Sequence, residues 1–335
     1  MRVPRARMAA LRAAERSNRQ IVDAMAEVDI RALLPLFDQA KSELAGRMRD
    51  WIVRHPADGE LRWTAQSYRN ALHAIEEIEA RVRLRTADTA LGRLGQLLRA
   101  GIRSVSRQLE DLLGLSSTRR TLALLEKEFT GSIHAVAVRE AAVIATGQSL
   151  LTRRFRTSAA RYAGNIRRDL QQRLAVDVLA GAPLRDTIAR LVQHGGPRGL
   201  VALRGVAGEP GAMVEYIAEG LFRRYPHWAD RWVRTEYAGA FNTTQTLASR
   251  DIADQLGPGT VTRVWIAAPR CCREICYHLD GTTCDAHGHF TSPEIGQLEA
   301  PPAHPYCRCT TAVESVAWDR VDWSRFREAN PRLSL

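Results

Sequence analysis

A mainly α protein, with a long-helix N-terminal bundle and a small α+β, cysteine-containing C-terminal domain, is predicted by three features of the 335-residue chain. Apolar residues recur at steps of three and four over long stretches of the first 180 residues, as one buried helix face requires. The texture changes at Val261, where alternation and turn residues replace helical spacing. All six cysteines fall between Cys271 and Cys309. Aromatic residues are only 6% of the chain, which suits helices rich in Ala and Leu.

The first helix is expected over about residues 5–54, bent at Pro35 and ending near His55-Pro56. A second stripe runs from 61 to 115 through Tyr68, Leu72, Ile75, Ile78, Val82, Leu91, Leu94, Leu98, Ile102, Val105, Leu109 and Leu112. Gly114 to Ser117 can stop that helix and cap the next. A third stripe starts at Thr121 with Leu122, Leu125, Phe129, Ile133 and Val136, and continues through Ile144, Leu151, Phe155, Tyr162, Ile166, Leu170 and Leu174. These stripes read as core within a bundle; packing against a partner protein is the alternative, and periodicity does not separate the two.

His194-Gly-Gly-Pro197 and Gly205 to Gly211 read as a linker. Residues 212–255 return to helix. Val261 to Ile266 reads as a strand, and Leu279-Asp280-Gly281-Thr282 supplies an Asp-Gly turn. The expected domains are therefore a helical region 1–204, a C-terminal domain 205–313 and a polar tail 314–335 carrying Trp318, Trp323 and Phe326.

The formal net charge is +11, and lysine occurs only at Lys41 and Lys127. A GC-rich genome accounts for arginine over lysine, but codon bias need not create a net positive excess. No run of 18 apolar residues exists, so no transmembrane helix is expected. The first 19 residues are arginine-rich and lack the apolar core of a secretion signal.

Cysteines confined to one segment point to a local metal knot or redox site, not a framework spread along the chain. Cys272, Cys276, Cys307 and Cys309 form two close pairs on either side of a loop, and four thiolates satisfy tetrahedral zinc. Cys271, Cys284 and His304 are the alternatives for one of those ligands. Free thiols and disulfides are the competing readings. His287-Gly-His289, with Asp285, suits a polar turn better than a second metal site.

The order of motifs carries a resemblance. Arg234-Thr235-Glu236 is followed by Asn242, a strand holding Trp265, a cysteine pair before Leu279-Asp280-Gly281, and a closing His304-Pro305-Tyr306-Cys307-Arg308-Cys309. Over roughly residues 212–313 this resembles the C-terminal domain of the phage Mu F-like minor head proteins. The family's Cys-x-x-Cys is altered here, because position 273 is arginine and the nearest pair is Cys272-x3-Cys276. The resemblance implies a non-enzymatic minor capsid protein at the portal vertex, resident in the virion and assembled in the host cytoplasm, where reducing conditions disfavour disulfides. It implies portal and major capsid proteins as partners, and a share in the fate of packaged DNA. Within the motif, Arg234 and Glu236 do not share a helix face; a buried polar network is expected, with Glu236 holding the cysteine loop.

Arg153, Arg154, Arg156, Arg161, Arg167, Arg168 and Arg173 lie in one helical stretch opposed only by Asp169. They are the candidates for sequence-independent contact with double-stranded DNA, and a solvated face or one meeting an acidic partner is the alternative. Two other functions compete with the capsid reading: a zinc-dependent nuclease or transferase carried in the head, and a host DNA-binding protein with a zinc knuckle.

Overall fold

The computed structural model describes residues 3–54, 65–115, 139–179, 210–269, 274–317, 320–322 and 324. Helix α1 spans Arg5–Arg54, α2 Ala65–Leu115 and α3 Glu140–Leu179. Helix α4, Pro210–Phe222, and α5, Tyr225–Leu256, follow. The mixed part consists of β1 (Val261–Ile266), a single-turn helix α6 (Cys276–Leu279), β2 (Thr283–Asp285), β3 (Phe290–Ser292), β4 (Gly296–Leu298) and β5 (Thr310–Val316). Long helices followed by a small cysteine-bearing sheet region are the predicted class.

The helix stripes are buried as their spacing requires. In α2, Ile75, Ile78, Val82, Leu94, Leu98, Ile102, Val105 and Leu109 are buried, while Tyr68, Leu72, Leu91 and Leu112 are half-buried. In α3, Leu151, Phe155, Tyr162, Ile166, Leu170 and Leu174 are buried. The stripe expected at residues 121–136 lies outside the described residues, as does most of the expected linker. Helix α4 begins at Pro210, inside that linker, because proline's fixed φ and missing N–H suit a first helical position. Pro35 lies inside α1. Among the described residues no helix is long and apolar enough to cross a membrane.

Strand β1 is central. It pairs antiparallel with β2 (Arg263 opposite Cys284) and with β5 (Trp265 opposite Thr311), giving the order β2-β1-β5 with a bulge between Thr262 and Arg263. β3 and β4 form a separate hairpin. The Asp-Gly turn is not a hairpin turn. Asp280 has φ −57° and ψ 123°, Gly281 has φ +74°, and the Thr282 amide donates to the Leu279 carbonyl at 2.9 Å. This is a type II turn, and it links α6 to β2. β5 runs to Val316, and Val321 is also buried, so ordered structure crosses the boundary expected at 313/314.

Two compact units emerge, and neither is a continuous segment. One comprises Met1–Glu27, Ala90–Arg154 and Arg231–Leu335; the other comprises Val28–Thr89 and Phe155–Asp230. The linear partition at 204/205 thus differs from the spatial one, because α1, α2, α3 and α5 each supply residues to both units. In the second unit, Tyr225 is buried against Phe37 and Phe222 and hydrogen-bonds Asp169 at 3.1 Å. Burial pushes the Tyr225 phenol well above its usual range.

In the first unit, Ile102, Val105 and Leu109 of α2 and Ile252 and Leu256 of α5 pack on Val261, Val313 and Val316. Met8 and Leu11 of α1 pack on Val264, Ile266 and Ala312. The N-terminal arginines join the same sheet region. Arg12 pairs with Asp280, Arg7 donates to the Glu314 carbonyl at 3.0 Å, and the Val3 amide donates to the Gly281 carbonyl at 3.0 Å.

Candidate metal centre

Cys276 Sγ, His304 Nε2 and Cys307 Sγ lie within 4.8 Å of one another, and this group could hold a metal ion. Cys276 opens α6, whereas His304 and Cys307 lie on the loop between β4 and β5. The sulfurs of Cys276 and Cys307 are 3.7 Å apart, and Cys276 Sγ is 3.1 Å from His304 Nε2. Both cysteines are buried, in an apolar cluster with Trp265, Leu279, Phe290 and Cys309. The Trp265 and Phe290 rings meet edge to face at 5.4 Å.

The loop is shaped locally. The Cys307 amide donates to the His304 carbonyl at 3.1 Å, with Pro305 and Tyr306 between them. Tyr306 has φ +63°, the left-handed region at the position where a type II turn normally places glycine. Its amide donates to Thr235 Oγ1 of α5 at 3.0 Å, which holds the unusual backbone in place. Asn242, two turns further along α5, donates to the Cys309 carbonyl at 3.1 Å and accepts the Thr311 amide at 3.0 Å.

The chemistry of the donors fits a metal. His304 Nδ1 faces the Pro305 carbonyl at 2.7 Å and must donate there, which leaves Nε2 with a lone pair aimed at the sulfurs. The thiols of Cys276 and Cys309, and the amides of Ala303 and Cys309, converge on Cys307 and hold its thiol far below the usual range. Cys276, donating to Cys307 and Cys309, is pushed up. Buried thiols and an imidazole nitrogen thus face one another, an arrangement in which a divalent cation displaces thiol protons and takes their place. Among the described residues, two buried N–H groups nearby, Arg19 Nε and Trp265 Nε1, have no acceptor.

The candidate ligands of the sequence divide accordingly. Cys276 and Cys307 come together, and Cys309 is buried in the same apolar cluster. His304, expected only as an alternative, stands beside Cys276. Cys284 is on β2, opposite Arg263. Cys271 and Cys272 lie outside the described residues. Among the described residues no second cluster with metal-ligand geometry forms at 285–289. There the Asp285 carboxylate accepts the His287 amide at 2.8 Å, and His287 faces Asp254 at 3.1 Å.

The motif residues also find roles. Asp280 caps the end of β1 by accepting the Ala267 amide at 2.9 Å. Gly281 supplies the positive φ and donates to the Trp265 carbonyl. Arg234 pairs with Glu27 at 2.7 Å and Asp23 at 3.4 Å. Glu236 pairs with Arg154 at 3.0 Å. Thr235 and Asn242 grip the cysteine loop, because short polar side chains at the contact face reach its backbone.

Beneath the loop lies a polar network that the sequence did not reveal. Glu15 is fully buried and accepts from Ser104 at 2.8 Å, Gln108 at 2.5 Å, Asn18 at 3.1 Å and Thr310 at 3.3 Å. Desolvation nevertheless raises its pKa. Only the polar residues inside apolar stripes, Ser104 and Gln108, could have signalled it.

The arginine stretch is partly neutralised. Arg154, Arg167 and Arg173 pair with Glu236, Glu79 and Asp169 at 3.0, 3.1 and 3.1 Å. Counting charge along one helix missed Glu236 and Glu79, which approach from α5 and α2. Arg153, Arg156, Arg161 and Arg168 are exposed on α3.

No family model, curated protein or solved structure matches the chain.

Proposed function

We propose that the chain is a phage minor head protein of the Mu F-like head-morphogenesis kind, whose C-terminal module is closed by a structural zinc ion. The observation that carries this reading is the approach of Cys276, His304 and Cys307 across the loop, in the motif order on which the resemblance rests. Cys276, His304 and Cys307 would hold the ion, with Cys309 the nearest further thiol. With Cys309 as a fourth ligand the set would be closed, supplying cross-linking without an open position for substrate, and the structural reading rests on that closure. In this reading the helical surfaces dock on portal or major capsid protein, and Arg153, Arg156, Arg161 and Arg168 contact packaged DNA without sequence preference.

Mass spectrometry of purified particles, with metal analysis of the isolated protein, tests both parts. The expected result is the chain in the particle at low copy number and one zinc per chain. Absence from particles overturns the capsid role, and a metal-free chain overturns the centre. The competing reading, a zinc-dependent nuclease or transferase, predicts chelator-sensitive turnover of nucleic acid by the purified protein.

A further inference from the structure

We infer that Arg19 is the counter-cation of the metal centre: its guanidinium offsets the charge that Cys309 adds as a third thiolate, and so positions Cys309 as the fourth ligand. The inference rests on the metal reading above and adds to it a defined coordination set and a residue remote in sequence.

The first step is a charge count. A divalent ion held by two thiolates and a neutral imidazole is neutral. A third thiolate makes the centre anionic, and Cys276, Cys307 and Cys309 are all buried. An uncompensated buried charge is costly, so a three-thiolate, one-histidine centre calls for a cation close by.

Arg19 meets that requirement. It lines the same small cavity as Cys309, together with Arg234, Arg308, Asp23 and Phe241. Of the anionic groups around it, Glu15 acts on it most strongly and Cys309 next. Among the described residues the carboxylates around this guanidinium serve other hydrogen-bond donors as well, and none forms an ion pair with it. Glu15, one turn earlier on α1, accepts from Ser104, Gln108, Asn18 and Thr310. Asp23, one turn later, faces Arg234 and Arg308. Asp280 holds Arg12 and the Ala267 amide. Arg19 retains one long hydrogen bond, from its terminal nitrogen to the Ile266 carbonyl at 3.5 Å, and its buried Nε has no acceptor. Arg308 lines the cavity too, but its side chain is 52% exposed and Asp23 stands beside it, so solvent screens its charge.

The experiment uses the full chain loaded with cobalt(II) and zinc. The sulfur-to-cobalt absorption scales with the number of bound thiolates, and competition with a chromophoric chelator gives the zinc affinity. Wild type is expected to show a tetrahedral three-thiolate spectrum. Arg19→Gln is expected to lose one thiolate's worth of intensity and about 10- to 100-fold in affinity, the usual range for an outer partner of a ligand. Arg19→Lys should recover most of both, and Arg85→Gln, on an exposed face of α2, should change neither. Cys309→Ser should match Arg19→Gln, and the double variant should lose no more than either alone. An Arg19→Gln protein with a wild-type circular dichroism spectrum, unchanged cobalt absorption and unchanged affinity overturns the inference. So does additive loss in the double variant. Should Arg19→Gln fail to fold, Arg19→Lys decides through the same two readouts. A wild-type chain that binds neither cobalt nor zinc is the distinct result that removes the metal reading itself.

Discussion

Asn242 holds the backbone on both sides of Thr310, donating to the Cys309 carbonyl at 3.1 Å and accepting the Thr311 amide at 3.0 Å. The side chain is 1% exposed, so no water can replace it. The last cysteine thereby enters β5 at a fixed height above α5. Asn242→Ala leaves two buried backbone groups unpaired, at about 1–3 kcal/mol each. Denaturant unfolding of the metal-free protein should show the midpoint falling with the slope unchanged, and zinc affinity should fall with it.

Two glycines of α2 should respond oppositely to the same change. A Cβ at Gly101 would meet Thr244 Cβ at 2.7 Å and the Phe241 carbonyl at 3.0 Å, so Gly101→Ala forces α2 and α5 apart. A loss of about 1–3 kcal/mol is expected, against the helix preference for alanine. At Gly92 nothing lies within 4 Å. Gly92→Ala should stabilise by about 0.5–1 kcal/mol. Thermal melts of the two variants check the pair.

Glu15 sets a pH dependence whose sign follows from burial. Its pKa is raised in the folded chain above the ordinary value of 4.5. The folded state therefore binds this proton more tightly than the unfolded state does. The contribution is complete below the unfolded pKa and is lost as pH rises through the folded one. Glu15→Gln should remove that decline. The measurement is the difference in unfolding free energy between wild type and variant from about pH 4 to pH 7; a difference that stays flat would contradict it.

The seven arginines of α3 should separate into two groups. Arg156→Ala, Arg161→Ala and Arg168→Ala should each lower the salt slope of duplex DNA binding by about one, without loss of stability. Arg154→Ala should instead destabilise the fold, because Glu236, with only 11% of its side chain exposed, loses this ion pair. Binding that ignores salt in the wild type would remove DNA from the partners.

The elements were legible in the sequence where the signal is local. Helical spacing marked α1 to α3, alternation marked β1 from Val261 to Ile266, and Gly281 marked a turn. The turn type was not legible, because Asp-Gly serves both type I′ and type II, and the choice depends on whether a strand or a helix precedes it. Half of the site was legible as well. Clustered cysteines announced Cys276 with Cys307, since few other arrangements occupy so many thiols in one segment. The remainder depends on chain folding over long separations. Glu15 looks like an ordinary charge within an arginine-rich helix until Ser104, Gln108 and Thr310 surround it. His304 looks like half of a His-Pro turn until the Pro305 carbonyl fixes its tautomer.

The interleaved composition of the first unit governs when this protein can fold during synthesis. Met8 and Leu11 find their partners in Val264, Ile266 and Ala312, about 250 to 300 residues later. The N-terminal turns of α1 therefore leave the ribosome long before the sheet that covers them exists. Ile102 and Leu109 share that exposure. Translation must run past Val316 before the core closes, a delay of roughly tens of seconds at ordinary elongation rates. Over that interval the emerging helices offer bare apolar stripes to chaperones, or to one another on neighbouring ribosomes of the same message.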